Sequence, residues 1–172
     1  MITRQTKSFI PGVMVLGILI WGNVAWSGTM IWDAAEDFTL ASNPNGQWQY
    51  GWAPAIVPGY TFTLYNGTAV SGSSGTVGLE LYRWNGSNPS INYNPFPVDL
   101  TATFGAIWPL YTCGFHPGSD GQYSIYRWTA PQNRTYKIAA TFWVGHQGLC
   151  TTDVHVVKNG SAVAKHKRPI TG

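Results

Sequence analysis

Three residues carry side chains that bind transition metals in proteins. His116 begins a His-Pro-Gly-Ser-Asp segment, while Asp153 and His155 alternate in a predicted strand and therefore point to the same face. Two imidazoles and a carboxylate can bind a transition metal, so this set predicts a metal site and, as the weakest functional hypothesis, a small metal-dependent enzyme. In the alternative interpretation His116 caps a turn and His155 is an ordinary exposed strand residue.

Oxygen-bearing side chains are concentrated in a loop region of 13 residues. Hard cations such as Ca²⁺ prefer oxygen ligands, so the region predicts a possible structural calcium site. The same residue types also cap turns through hydrogen bonds to backbone N–H groups, and this alternative stays open. The candidates are Asp33, Glu36, Asp37, Asn43 and Asn45.

Motifs for nucleophilic and phosphoryl chemistry are absent from the sequence. There is no G-x-S-x-G, no H-E-x-x-H and no glycine-rich phosphate loop. A glycosidase needs two carboxylates facing each other, and the spacing of Glu80 with Asp99 or Asp153 does not indicate such a pair. We therefore expect a non-catalytic protein.

Aromatic residues make up 15% of the 172 residues, and seven of the nine tryptophans follow residue 27. Aromatic planes bind the C–H faces of sugars, so this excess predicts a carbohydrate ligand. Trp48, Tyr50 and Trp52 alternate along one predicted strand and would line one face about 7 Å apart. The same three side chains would equally serve as the core of a β-sandwich.

Further ligand candidates lie in or near predicted loops. Trp84 and Tyr93 are aromatic, and loops cluster at the ends of β-sandwiches. Arg127 either contacts the ligand or forms an ion pair with Asp120 or Asp153.

Charged residues make up only 10% of the chain, and the formal net charge is +3. The charge fraction is low for a disordered segment, and the composition is wrong for a coiled coil. The basic residues lie mostly at the two ends, with no lysine between Lys7 and Lys137, so we expect no nucleic-acid partner.

The first 27 residues have the three-part layout of a secretory signal peptide. Residues 1–7 are basic, residues 8–25 are uncharged and mostly apolar, and Ala25-Trp26-Ser27 has small residues where cleavage is expected. An uncleaved membrane anchor is the alternative, although Pro11 and Gly17 weaken it as a permanent helix. We therefore expect a secreted protein without a permanent membrane span.

Export affects the interpretation of the two cysteines, Cys113 and Cys150. In an oxidising compartment two buried cysteines usually pair, so the sequence predicts a disulfide between them. The alternative is two separate buried thiols.

The mature chain is predicted to be all-β, with seven to nine short antiparallel strands separated by turns. This spacing is typical of a β-sandwich or jelly roll, here predicted over residues 28–164, with residues 165–172 as a loose basic tail. Strands are expected at residues 47–52, 59–65, 77–84, 101–108, 122–130, 135–144, 150–158 and 161–164. Residues 87–97 are expected to be a loop because of their prolines, and residues 33–38 are the one helical candidate.

Several motifs together resemble an uncharacterised extracellular β-sandwich domain of environmental bacteria, often found in exported proteins with a PEP-CTERM sorting tag. The resemblance covers roughly residues 31–164. Its motifs are DAAEDF at 33–38, NPNGQWQYGW at 43–52, HPG at 116–118, YSIYRWTAP at 123–131 and TDVHV at 152–156. It implies export, a sandwich fold and a cell-surface or matrix setting, and it transfers no catalytic residue.

This sequence differs from the family pattern at the C-terminus, where the tagged proteins continue to a Pro-Glu-Pro motif, an apolar helix and a basic tail. Here His166-Lys167-Arg168-Pro169 leads to Gly172. A domain shortened at this point would expose an edge strand, which favours pairing with another copy. The first functional hypothesis is thus a secreted binding module for polysaccharide, and the second is a self-assembling surface or matrix protein.

Overall fold

The computed structural model describes residues 30–71, 79, 81–85, 88–101, 105–143, 145 and 151–169. The predicted signal peptide, Glu80 and Cys150 lie outside the described residues. The chain divides into a first unit, Met1–Ile31, and a second unit, Trp32–Gly172, to which all that follows refers.

The predicted all-β class is confirmed, because the regular structure of the described residues consists of antiparallel strands without a helix. Within these ranges, no helix is long and apolar enough to cross a bilayer. The strands are β1 (Trp48–Ala53), β2 (Thr63–Leu64), β3 (Thr68–Ser71), β4 (Leu81–Trp84), β5 (Ser90–Tyr93), β6 (Leu100–Thr101), β7 (Ile107–Trp108), β8 (Cys113–His116), β9 (Tyr123–Trp128), β10 (Thr151–Lys158) and β11 (Ser161–Pro169).

Two larger sheets are joined in a sandwich-like arrangement. One has the order β2-β1-β9 and the other the order β3-β4-β5-β8, while β6-β7 and β10-β11 form separate pairs. Ser124 of β9 links the larger sheets, since its hydroxyl Oγ lies 3.0 Å from the carbonyl oxygen of Ser90 and 2.6 Å from that of His116. Tyr50 of β1 stacks on Trp84 of β4 with ring centroids 5.6 Å apart, which places the aromatic core between the sheets.

Alternation along the strands explains this core. Tyr50, Trp48 and Trp52 lie on one face of β1, and Tyr126 reaches the same region from β9. The rings of Tyr50 and Tyr126 meet edge to face with centroids 5.0 Å apart, a favourable geometry for aromatic pairs.

Three strand predictions and one loop prediction differ from the structure. In the predicted strand at 101–108, Thr101 belongs to β6 and residues 107–108 form β7, which pairs with β6, and the predicted strand at 59–65 is reduced to β2. Residues 87–97, predicted as loop, contain β5, since four residues between Pro89 and Pro95 suffice for a short central strand. Residues 135–143, predicted as part of a strand, have no regular secondary structure and no ladder partner in the described part of the chain.

Two further regions, residues 33–38 and residues 165–169, also differ from the prediction. The helical candidate at 33–38 is a single turn, closed by a 2.9 Å hydrogen bond from the Asp37 N–H to the Asp33 carbonyl. Residues 165–169, expected as a tail, extend β11, and they pair with β10 from Lys165↔His155 to Pro169↔Thr151.

Two asparagines hold the connections between strands. The Asn43 amide donates to the carbonyls of Tyr50 at 2.7 Å and Tyr65 at 2.8 Å, and its oxygen accepts from the Tyr50 N–H at 2.9 Å. Asn94 is fully buried and plays a similar role after β5. A buried amide that satisfies several backbone groups fixes the path of the chain around it.

Candidate functional site

The predicted aromatic platform on β1 lies in the core. Tyr50 is 0% exposed, and Trp48 and Trp52 are partly buried against it. A sandwich buries one face of each strand, and here it buries the aromatic one. This corrects the assignment of the three side chains to a surface ligand platform.

The two predicted loop aromatics are also engaged within the fold. Trp84 is 4% exposed, and its indole Nε1 donates to the Thr39 carbonyl at 2.7 Å. Tyr93 is half-buried, with its ring centroid 5.1 Å from that of Phe38, and burial raises the pKa of its hydroxyl. Trp84 is therefore a core residue, and Tyr93 packs on the edge of the core.

The predicted metal site is only partly assembled. Asp153 and His155 do come together, with Oδ2 and Nε2 2.8 Å apart, and the Tyr123 hydroxyl donates to the same carboxylate oxygen at 3.4 Å. His116 does not join them, because no group of three His, Cys, Asp or Glu side chains suited to a metal forms among the described residues. Its Nδ1 lies 2.7 Å from the carbonyl oxygen of Pro117, in agreement with the turn-capping alternative.

His155 contacts Asp153 through its Nε2 and Tyr123 through its ring. Its Nδ1 is buried and has no hydrogen-bond partner in the described part of the chain. The Tyr123 and His155 rings meet edge to face with centroids 5.6 Å apart. The Asp153–His155 pair therefore links β10 to Tyr123 of β9.

The candidate calcium region uses its oxygens to hold its own loop. The Asp33 carboxylate accepts from the N–H groups of Ala35 at 2.8 Å and Glu36 at 3.1 Å. The Asp37 carboxylate accepts from the Trp48 indole at 2.8 Å, and the Asn45 amide donates to the Asp37 carbonyl at 2.8 Å. This is the pattern of the turn-capping alternative.

Arg127 is the predicted ligand residue that the structure leaves exposed. Among the described residues it pairs with neither Asp120 nor Asp153, and the ion pair found there joins Asp153 to His155. Instead its guanidinium carbon lies 3.9 Å from the centroid of the Phe62 ring, and its Nε donates to the side-chain oxygen of Gln49. We call Gln49, Gly51, Phe62 and Arg127 the Arg127 shelf.

The Arg127 shelf is built on the sheet face opposite Tyr50. Gln49 and Arg127 are cross-strand partners in β1 and β9, and Gly51 follows Gln49 on the same face. A Cβ at Gly51 would lie 2.6 Å from the Phe62 Cζ and 2.2 Å from the Thr63 carbonyl oxygen. Only glycine therefore leaves room for the Phe62 ring next to the strand, where this ring contacts the Arg127 guanidinium.

Sequence reasoning named Arg127 but missed the other members of the shelf. It placed Phe62 in a regular strand with Tyr60 and Leu64, although this segment pairs with β1 only at Thr63 and Leu64. The available signal was Gly51, because a glycine inside a strand often marks the close approach of another group.

The guanidinium of Arg127 is held in place by two contacts. The Phe62 ring and the bond to Gln49 fix its position, and among the described residues its two Nη groups have no hydrogen-bond partner. A planar guanidinium binds a carboxylate, sulfate or phosphate through two parallel hydrogen bonds. The shelf can therefore recognise an oxyanion without first breaking an ion pair.

Cys113 carries a free thiol in the structure. Its Sγ lies 3.2 Å from the Tyr126 hydroxyl and 3.5 Å from the Ala34 carbonyl oxygen, and burial raises the pKa of the thiol to about 12. Because Cys150 lies outside the described residues, the disulfide between the two cysteines stays a prediction.

The fold and the shelf together describe an all-β domain with an exposed, pre-positioned cation. Comparisons of the chain with protein families, with curated proteins and with solved structures found no match.

Proposed function

We propose that this protein is an extracellular, non-catalytic binding module for carbohydrate, and that Arg127 is its principal contact with the ligand. The observation that carries the proposal is the exposed guanidinium of Arg127, which is stacked on Phe62, oriented by Gln49 and without a carboxylate partner among the described residues. Extracellular location rests on the predicted signal peptide in residues 1–27.

The chemistry of the shelf favours an acidic polysaccharide. Uronic acids and sulfated sugars offer a planar or forked oxyanion to the Nη groups of Arg127, and such charge-assisted bonds are stronger than neutral ones. The amide of Gln49 and the edge of the Phe62 ring flank this position, where they can contact hydroxyl groups and C–H faces of the same sugar. A neutral glucan would leave the guanidinium without a partner.

Retention on insoluble polysaccharides tests this proposal. Purified protein is applied to calcium-gelled pectate, to cellulose and to chitin, and Arg127→Gln is compared with wild type. Losing a charge-assisted hydrogen-bond pair costs about 1.5–3 kcal/mol, so we expect about 10- to 100-fold weaker binding to pectate. Wild-type binding should also weaken as salt is raised, because exposed charges are screened.

Two further variants separate recognition from charge. Arg134→Gln removes one exposed cation from the turn after β9 and should bind as wild type does. Arg127→Lys keeps the charge but loses the fork, so it should bind weakly. Equal retention of Arg127→Gln and wild type, or preference for a neutral glucan, would contradict the proposal.

A further inference from the structure

The β10-β11 hairpin meets the face of the β2-β1-β9 sheet that carries the Arg127 shelf. On β9 the side chains of Tyr123 and Arg127 occupy alternate positions, so they lie on the same face. Tyr123 is the contact between this face and the hairpin, because its hydroxyl donates to Asp153 at 3.4 Å and its ring meets His155 edge to face. The hairpin therefore lies at one end of the face that carries the shelf.

The turn of the hairpin reaches the chain that leads into the shelf. A Cβ added at Gly160, in this turn, would lie 3.8 Å from the backbone nitrogen of Gly59, an ordinary van der Waals contact. Phe62 of the shelf follows Gly59 by three residues, which span at most about 10 Å. Ala53, the cross-strand partner of Tyr123, is 0% exposed, as expected where a hairpin crosses the end of a sheet.

Lys158 is a second exposed cation near the shelf. It is the last residue of β10, two residues before Gly160, and it has no ion pair with any described residue. The contact of Gly160 with Gly59 brings it toward Phe62, whose ring centroid lies 3.9 Å from the Arg127 guanidinium carbon. From these chain lengths, Lys158 and the Arg127 guanidinium lie on the order of 20 Å apart.

Positive charge is concentrated in the hairpin. Residues 151–169 contain four Lys or Arg and one acidic residue, whereas residues 30–150 contain four Lys or Arg and six Asp or Glu, so the formal net charges are +3 and −2. The acidic residue is Asp153, which already contacts His155. At least three of the four cations therefore have no carboxylate partner within the hairpin. Such an excess of fixed charge attracts a polyanion.

We propose that the acidic polysaccharide bound at the Arg127 shelf continues along the hairpin to Lys158, so that the site binds a run of acidic sugars. This inference rests on the proposed function and adds a second cation to the same site. Two contacts made by one polymer reinforce each other, because the first contact raises the effective concentration for the second. A single acidic sugar is too short to reach both cations.

Competition between ligands of different length tests this inference. Protein retained on pectate-coupled beads is released with galacturonic acid or with soluble polygalacturonate, compared at equal concentrations of carboxylate. For wild type we expect half-release at an at least about tenfold lower carboxylate concentration with the polymer, because two linked contacts give a gain of this size. We call this ratio the polymer advantage. Lys158→Gln should respond to galacturonic acid as wild type does and should lose most of the polymer advantage.

Lys137→Gln is the matched control. It removes the same charge from an exposed lysine next to Tyr136, whose ring packs on Trp128. Trp128 and Arg127 are neighbours in β9 and lie on opposite faces, so Lys137 is placed away from the shelf. This variant should keep the polymer advantage of wild type. Lys158→Arg keeps the cation and should keep it as well, and circular dichroism verifies that the variants are folded.

Failure of this inference is distinguishable from failure of the proposed function. If Arg127→Gln loses retention on pectate but wild type shows no polymer advantage, or Lys158→Gln keeps it in full, the shelf stands and the extension to Lys158 is overturned. Equal loss of the polymer advantage in Lys137→Gln would also overturn the extension, because net charge alone would explain it. A wild type that is not retained on pectate would overturn both proposals.

Discussion

Replacing Asn94 by aspartate changes one side-chain atom and removes the donor on which a buried junction depends. The Asn94 amide nitrogen lies 2.8 Å from the carbonyl oxygen of Val98, 2.9 Å from that of Trp108 and 3.2 Å from that of Pro109. Its amide oxygen accepts from the Phe96 N–H at 3.0 Å. Asn94→Asp keeps this acceptor but turns an oxygen toward the three carbonyls.

The expected cost follows from these contacts. The amide nitrogen carries two hydrogens, so the substitution removes two hydrogen bonds at roughly 1 kcal/mol each. The buried acceptor that is left unpaired costs about 1–3 kcal/mol in addition. Asn94 is 0% exposed, so water cannot replace the lost donor. We expect Asn94→Asp to lower the free energy of unfolding by about 3–5 kcal/mol at pH 7.

The loss should depend on pH in a defined direction. The introduced carboxyl would face three carbonyl oxygens and one N–H, so burial raises its folded-state pKa above the unfolded value. The protonated form favours the folded state, and this contribution is present in full below the unfolded pKa and lost as the pH rises through the folded pKa. The deficit relative to wild type should therefore be smallest near pH 4 and grow toward pH 7.

Urea unfolding followed by tryptophan fluorescence measures the effect, with wild type and variant compared at both pH values. Asn133→Asp, in the exposed turn after β9, is the matched control and should change stability by less than about 0.5 kcal/mol. A deficit in Asn94→Asp that equals the control's, or that grows as the pH falls, would refute the reasoning.

Two other predictions follow from the packing and the buried hydroxyls. Gly51→Ala should lower the free energy of unfolding measured in urea by about 1–3 kcal/mol and weaken pectate binding, because the new Cβ would lie 2.2 Å from the Thr63 carbonyl oxygen. Gly67→Ala is the control: its Cβ would meet nothing within 4 Å, so neither stability nor binding should change. Burial raises the pKa of Tyr65 to about 12, so its contribution to stability is present below the unfolded value near pH 10 and lost as the pH rises through 12. Absorbance titration of Tyr65→Phe against wild type checks this, and a tyrosine signal lost from the pH 10 transition would contradict it.

Alternating residues made the core strands predictable from the sequence. Gln47–Trp52 and Gln122–Ala130 show a two-residue period, and they correspond to β1 and β9, which pair along their whole length. The same period could not say which face of β1 meets the other sheet. The aromatic face around Tyr50 was equally suited to a ligand and to a core until its partner Trp84 was known.

Contacts distant in sequence account for most of what sequence analysis missed. Phe62 lies close to Gly51 because it immediately precedes β2, which pairs with β1, and no local pattern encodes that pairing. Conversely, residues 135–143 have a strong strand pattern, yet a strand exists only where another strand pairs with it. Local preference alone therefore predicted a strand where the described part of the chain provides no partner strand.

The buried Cys113 thiol makes this domain a reporter of its own fluctuations. With a pKa of about 12, only about one thiol in ten thousand is ionised at pH 8 while the core is closed, and the sulfur lies against Tyr126 and Ala34. A thiol reagent will therefore react with Cys113 almost entirely during brief openings that expose it. In reduced protein with Cys150 replaced by serine, and when reclosing is fast, the rate of labelling therefore measures how often β8 and β9 separate.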